Sequence, residues 1–136
     1  MDRPHHAGLR HLALNVSDMA AMKRFYVDLL GFAIEWEPDP DNVYLSSGVD
    51  NLALHRAAPV AEGAHPRSGP SALDHFGLIV RTAEDVDRWA SFLESEGVAI
   101  GAPARTHRDG ARSCYVRDPD GNSIQIIHHP PISDKV

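Results

Sequence analysis

Apolar and polar positions alternate along Leu9-Arg-His11-Leu-Ala-Leu-Asn-Val16, and the alternation returns in Leu73-Asp-His75-Phe-Gly-Leu-Ile-Val80. One offset, 64 residues from His11 to His75, superposes the two runs. A period of two predicts a strand. In each copy the histidine shares a face with Ala13 or Gly77, while Leu12, Leu14 and Val16, or Phe76, Leu78 and Val80, occupy the other. The apolar face should cover itself with a helix, and the histidine face should look into an open groove.

Helical periodicity follows both strands. The first helix can start at Ser17 or Asp18 as N-cap, carries Met22, Phe25, Tyr26, Leu29 and Leu30 at helical spacing, and stops at Gly31. The second has Thr82 as N-cap with Asp85 three residues on, then a stripe of Val86, Trp89, Ala90 and Leu93, ending near Gly97. Trp89 is expected in the core, and Trp36 in the core or lining a cavity. Short strand-like runs come next, over 33–36, 42–46 and 51–55 in the first copy and 98–100, 111–116 and 123–128 in the second. The order reads β-α-β-β-β twice. Module one spans about 8–57 and module two about 72–129, with a Pro/Gly-rich linker over 58–71, all within one domain.

The last strands also align. Placing 48–55 over 118–125 pairs Asp50 with Asp120, Leu54 with Ile124 and His55 with Gln125, so His55 and Gln125 become expected structural equivalents. Asp118-Pro-Asp-Gly121 is a strong turn sequence that feeds the strand of Gln125.

Composition narrows the function. The 136 residues are 43% hydrophobic and 24% charged, globular values for one domain, and no apolar run approaches the roughly 18 residues of a membrane span. A net charge of -6 argues against nucleic acid, which needs clustered Lys and Arg. The N-terminus lacks a secretory h-region, and Cys114 is the only cysteine, which together suit the cytoplasm. Of nine histidines, His5, His6, His65, His128 and His129 lie near the ends or in the linker and read as solvated, leaving His11, His55, His75 and His107 to explain.

The strand-borne histidines in Leu-Arg-His11-Leu and Leu-Asp-His75-Phe, the Phe25-Tyr26-Val-Asp-Leu-Leu-Gly31-Phe helix end and Asp118-Pro-Asp-Gly-Asn-Ser-Ile-Gln125-Ile together resemble the vicinal oxygen chelate superfamily over about residues 8–128. That group includes glyoxalase I, extradiol dioxygenases, methylmalonyl-CoA epimerase and the fosfomycin and bleomycin resistance proteins. The resemblance implies an α+β fold of two tandem βαβββ modules forming cupped mixed sheets. In metal-dependent relatives the first and last strands of each module supply the ligands, which carries over to His11, His55, His75 and Gln125. Imidazoles with an amide oxygen suit one Zn, Ni, Fe or Mn ion better than Ca or Mg.

The family pattern usually has Glu at position 125, and Gln cannot act as a base. This departure weakens a glyoxalase I or extradiol dioxygenase assignment, although Tyr115 stands ten residues before Gln125 as a substrate-facing tyrosine does in such dioxygenases. His107 is the remaining base candidate, Arg112 a candidate fork for a substrate carboxylate or phosphate, and Trp36 a candidate substrate contact. The resemblance also implies a small-molecule substrate and a homodimer. Two functions follow: a divalent-metal enzyme with lyase, isomerase or dioxygenase chemistry on a small oxygen-rich substrate, or a metal-free binding protein of the bleomycin-resistance type.

Overall fold

A computed structural model describes residues 5, 9–58 and 73–136, so the expected linker over 58–71 falls almost wholly outside the described residues, as do His6 and His65. The chain divides into two compact units, Met1–Pro59 and Val60–Val136. The first holds β1 (His11–Val16), α1 (Met19–Lys23), β2 (Ala33–Asp39), β3 (Asn42–Ser46) and β4 (Asn51–Arg56). The second holds β5 (Phe76–Ile79), α2 (Ala83–Ser95), β6 (Ile100–Thr106), β7 (Arg112–Arg117), β8 (Ser123–His128) and a short α3 (Pro130–Ser133). Each unit forms one four-stranded mixed sheet, in the orders β1-β4-β3-β2 and β5-β8-β7-β6, so the expected α+β repeat is present.

The alternation sorts the faces of β1 as expected, whereas in β5 only Gly77 is exposed and Phe76, Leu78 and Ile79 are all half-buried. In β1, Leu14 and Val16 are buried while His11, Ala13 and Asn15 are exposed, and His75 sits one residue before β5. Buried side chains of the second unit include Val86, Leu93, Cys114, Val116, Ile124 and Ile126, and α2 packs on β6, β7 and β8. The outer strand β2 runs three residues beyond the expected 33–36, and β6 begins at Ile100, where the expected run of 98–100 ends, so each outer strand contains a proline, Pro38 or Pro103. On an edge strand a missing N–H is tolerated, and a register shift brackets each proline, between Trp36 and Asp39 and between Ala102 and Arg105.

Both helix caps are as expected: Asp18 Oδ1 accepts from Ala21 N at 3.0 Å, and Thr82 and Asp85 form a reciprocal capping box. The first helix departs from the expected single α-helix. Arg24–Leu29 widens into a π-helical turn, with Leu30 N donating to Phe25 O at 3.0 Å and Phe32 N to Tyr26 O at 2.9 Å. The adjacent Phe25 and Tyr26 are both buried there. Gly31, at φ +79°, ends it. Trp89 is a correction to the expected core: it is half-buried and meets Phe92 edge-on, because the buried centre of the α2 stripe runs through Val86 and Leu93. His128 is another, since it is half-buried and its Nδ1 is buried with no partner among the described residues.

Candidate functional site

Residues paired across a ladder share a face, so the face of the first sheet opposite Leu14 and Val16 carries His11, Ala13 and Asn15 from β1, Asn51, Ala53 and His55 from β4, and Asn42 and Tyr44 from β3. His11 Nδ1 lies 2.8 Å from Asn51 Oδ1, and Asn51 Nδ2 donates to Glu35 Oε2 at 2.9 Å. His55 repeats the arrangement, with Nδ1 2.6 Å from Asn42 Oδ1 and Asn42 Nδ2 donating to Asp39 at 2.9 and 3.1 Å. An amide oxygen only accepts, so each neutral ring carries its hydrogen on Nδ1 and keeps the Nε2 lone pair. Tyr44 meets His55 edge-on and stacks with Trp36 at 5.1 Å between centroids; Trp36 is 58% exposed.

In the second sheet Gly77 of β5, Gln125 of β8 and Tyr115 of β7 lie side by side. His75 meets the Tyr115 ring edge-on at 5.2 Å, and its Nδ1 lies 2.5 Å from Asp74 Oδ1, which fixes the same tautomer as in His11. Ser113, two residues before Tyr115 and 1% exposed, joins two more candidates. Gln125 Nε2 donates to Ser113 Oγ at 3.0 Å, and His107 Nε2 lies 2.6 Å from the same oxygen. The hydroxyl oxygen has two lone pairs and can accept from both the Gln125 amide and His107 Nε2–H, the tautomer that leaves the His107 Nδ1 lone pair open. Gln125 Oε1 has no partner among the described residues. A cleft of about 580 Å³ opens beside this group, lined by Arg105, His107, Arg108, Tyr115, Gln125 and Ile127 among others.

Four expected site residues therefore gather in the second unit: His75, His107, Tyr115 and Gln125. Arg112 stands apart. It forks onto Asp87 of α2 at 2.6 and 2.9 Å and donates to Thr106 Oγ1 at 3.2 Å, and it is not among the cleft residues. The Arg112 guanidinium, chiefly by hydrogen bonding, holds the Asp87 carboxyl below the usual range, and Asp87 in turn raises Arg112. Burial pushes the Cys114 thiol up.

His55 is not the counterpart of Gln125. Ala13 pairs with Ala53 and Gly77 with Gln125, so the repeat equates Ala53 with Gln125, and the alignment of the last strands moves by two residues. His55 instead stands opposite Asn15, four positions beyond His11, which is roughly 13 Å along the strands. Side chains stand roughly perpendicular to a sheet, so these two rings do not converge on one ion. Among the described residues, no three His, Cys, Asp or Glu side chains gather as a metal cluster. Taken singly, His11 in the first unit and His75 and Gln125 in the second each have a donor that suits a first-row divalent ion, Nε2 on the two imidazoles and Oε1 on the amide.

Sequence reasoning passed over Ser113, Asn42 and Asn51, which hold these groups in place. The available signal was parity, because each lies on the same strand face as a candidate.

Residues 8–126 match the model of the Glyoxalase/Bleomycin resistance protein/Dioxygenase superfamily. The chain is 33% identical over 123 residues to the virulence protein STM3117 of Salmonella typhimurium, covering 88% of this chain and 82% of that protein. It is 26% identical over 120 residues to biphenyl-2,3-diol 1,2-dioxygenase 3 of Rhodococcus globerulus, covering 87% of this chain and 61% of that protein. The crystal structure of lactoylglutathione lyase from Agrobacterium tumefaciens superposes with a TM-score of 0.72 at 24% identity, covering 90% of this chain and 94% of the other.

Proposed function

Because the chain belongs to the glyoxalase/bleomycin resistance protein/dioxygenase superfamily, we propose that it is a divalent-metal-dependent enzyme acting on a small oxygen-rich substrate. The observation that carries this reading is the pinning of His11 and His75 at Nδ1 by Asn51 and Asp74, which leaves Nε2 as the donor on each ring. Hydrogen-bonded outer partners of this kind orient metal-binding imidazoles. The candidate ligands are His11, His75 and Gln125. A bound Zn, Ni, Fe or Mn ion would polarise a substrate oxygen and stabilise negative charge developing on it.

The chain's own groups divide the rest of the work. Gln125 cannot take a proton, so that role passes to His107, the imidazole lining the cleft, with Ser113 holding both side chains. Tyr115 offers its ring and hydroxyl at the cleft wall. Lyase, isomerase and dioxygenase chemistry all lie within the family's reach. A homodimer is part of this reading, and sedimentation at 14.9 kDa would remove it.

A second reading, a metal-free binding protein, is favoured by Ala53, which puts no donor at the position equivalent to Gln125, and by the exposed Trp36–Tyr44 stack as a platform for a flat ligand. Elemental analysis and calorimetric titration with Zn²⁺, Ni²⁺ and Mn²⁺ separate the two. Under the enzyme reading His75→Ala loses the ion, His55→Ala keeps it, and both stay folded. Wild-type protein that takes up none of the three ions refutes it.

A further inference from the structure

We propose that the cleft of the second unit is built to take a small oxyanion, a carboxylate or phosphate carried by the substrate, on Arg105 and Arg108. This deepens the preceding reading by naming the substrate class of its cleft.

The charge there runs against the molecule's own. The chain carries 13 Lys and Arg against 19 Asp and Glu, a net of -6, yet the cleft lining has two arginines and one carboxylate, Asp109. A concave site with an excess of one sign of charge concentrates ions of the other. Asp109 is also committed, since its Oδ1 accepts from Ala111 N at 3.0 Å.

Arg105 and Arg108 differ from the neighbouring arginines in what they touch. Arg112 forks onto Asp87, and Arg117 donates to Gly121 O at 3.2 Å. The side chains of Arg105 and Arg108 make no hydrogen bond or ion pair among the described residues, although both residues line the cleft. A guanidinium presents its donors as a planar fork matched to carboxylate and phosphate oxygens.

The position is also organised before any ligand arrives. Arg105 of β6 pairs with Ser113 of β7 and so stands on the strand face of Tyr115. The connection carrying Arg108 is closed by His107 N donating to Ala111 O at 2.7 Å and Gly110 N to His107 O at 3.0 Å, with Gly110 at φ +87°. A fixed turn reduces the ordering cost of binding. An anion on these forks would extend its other end along the cleft toward Tyr115 and Gln125, where an oxygenated group would meet the polar side chains.

The test uses the full chain, freed of metal and dialysed, in ¹H–¹⁵N NMR titrations with inorganic phosphate, lactate and uncharged lactamide. Phosphate or lactate should shift the amide signals of 106–111 and the side-chain amide of Gln125, and lactamide should not. The double variant Arg105→Gln, Arg108→Gln should weaken anion binding about tenfold to a hundredfold, the loss expected for charge-assisted contacts. Arg88→Gln, at an exposed position of α2, removes one positive charge elsewhere and should leave binding unchanged. The two anions distinguish carboxylate from phosphate as the favoured group. The proposal is overturned if neither anion binds, if lactamide binds as well as lactate, if the double variant binds unchanged, or if Arg88→Gln weakens binding as much. Divalent-ion titration of the same samples keeps the two readings separable. Anion binding without ion uptake sinks the metal reading alone, and ion uptake without anion binding sinks this one alone.

Discussion

Replacing Ser113 by Ala tests the arrangement on which the site depends. The hydroxyl is on a residue 1% exposed and lies 2.6 Å from His107 Nε2 and 3.0 Å from Gln125 Nε2. Each neutral bond is worth about 1 kcal/mol net, and His107 and Gln125 are only half-buried, so water can partly replace what the hydroxyl gave. The expected loss is about 1–2 kcal/mol. For 136 residues the unfolding entropy makes 1 kcal/mol equal to about 3–4 °C, so Tm should fall by about 3–7 °C. Urea unfolding of metal-free wild type, Ser113→Ala, Gln125→Met and the double variant isolates the pair. A coupling of about 0.5–1 kcal/mol is expected, and additivity within about 0.3 kcal/mol would refute the Gln125–Ser113 bond. The same variant tests orientation: without Ser113 the amide loses its anchor, and metal affinity by calorimetry should fall about 10–100-fold. A variant that loses stability but keeps full affinity would remove Gln125 from the ligand set.

Asp87→Asn should destabilise near pH 6, and the effect should shrink as the pH falls into the acid range. A carboxyl held below its usual value near 3.8 contributes stability that is present above that pH and is lost as pH falls through the lowered value. Urea midpoints measured from pH 6 downward check this, and an effect that grows as the pH falls would exclude the charge as the cause. Cys114 is buried and its thiol is raised, so at pH 8 a thiol reagent should label it only after denaturant is added; rapid labelling of folded protein would contradict its burial. Thr82→Ala removes the hydroxyl of the capping box and should cost about 1 kcal/mol, or about 3–4 °C in Tm by calorimetry, with no change in metal uptake.

The repeat was legible because period-two alternation and helix caps are local signals. Asp18, Thr82, the faces of β1 and the turn at Asp118 all lie where residue chemistry puts them. Asp118 is 4% exposed and accepts from Asp120 N and Asn122 N at 3.0 and 2.9 Å, so one side chain fixes the loop into β8. The π-helical turn was hidden because an apolar helix pattern does not tell one extra residue per turn from none. Pairing register was hidden for a related reason. A slip of two residues returns every side chain to its own face, so matching His55 or Ala53 to Gln125 satisfies the apolar pattern equally well. Only the ladder, with Ala13 opposite Ala53 and Gly77 opposite Gln125, separates them.

Arg112 makes the opposite point, because there the sequence held more than its chemistry suggested. A guanidinium beside a groove strand invites a substrate anion, yet β7 alternates, and Tyr115 three positions on cannot share a face with Arg112. With Ser113 and Tyr115 turned to the cleft, parity sends Arg112, Cys114 and Val116 to the helix side, where Asp87 of α2 meets the guanidinium. The same parity, carried across the ladder from Ser113 to Arg105, puts a different arginine on the cleft face. Strand parity and cross-strand register thus decide which of several similar side chains can act together, and residue type decides only what they could do once there.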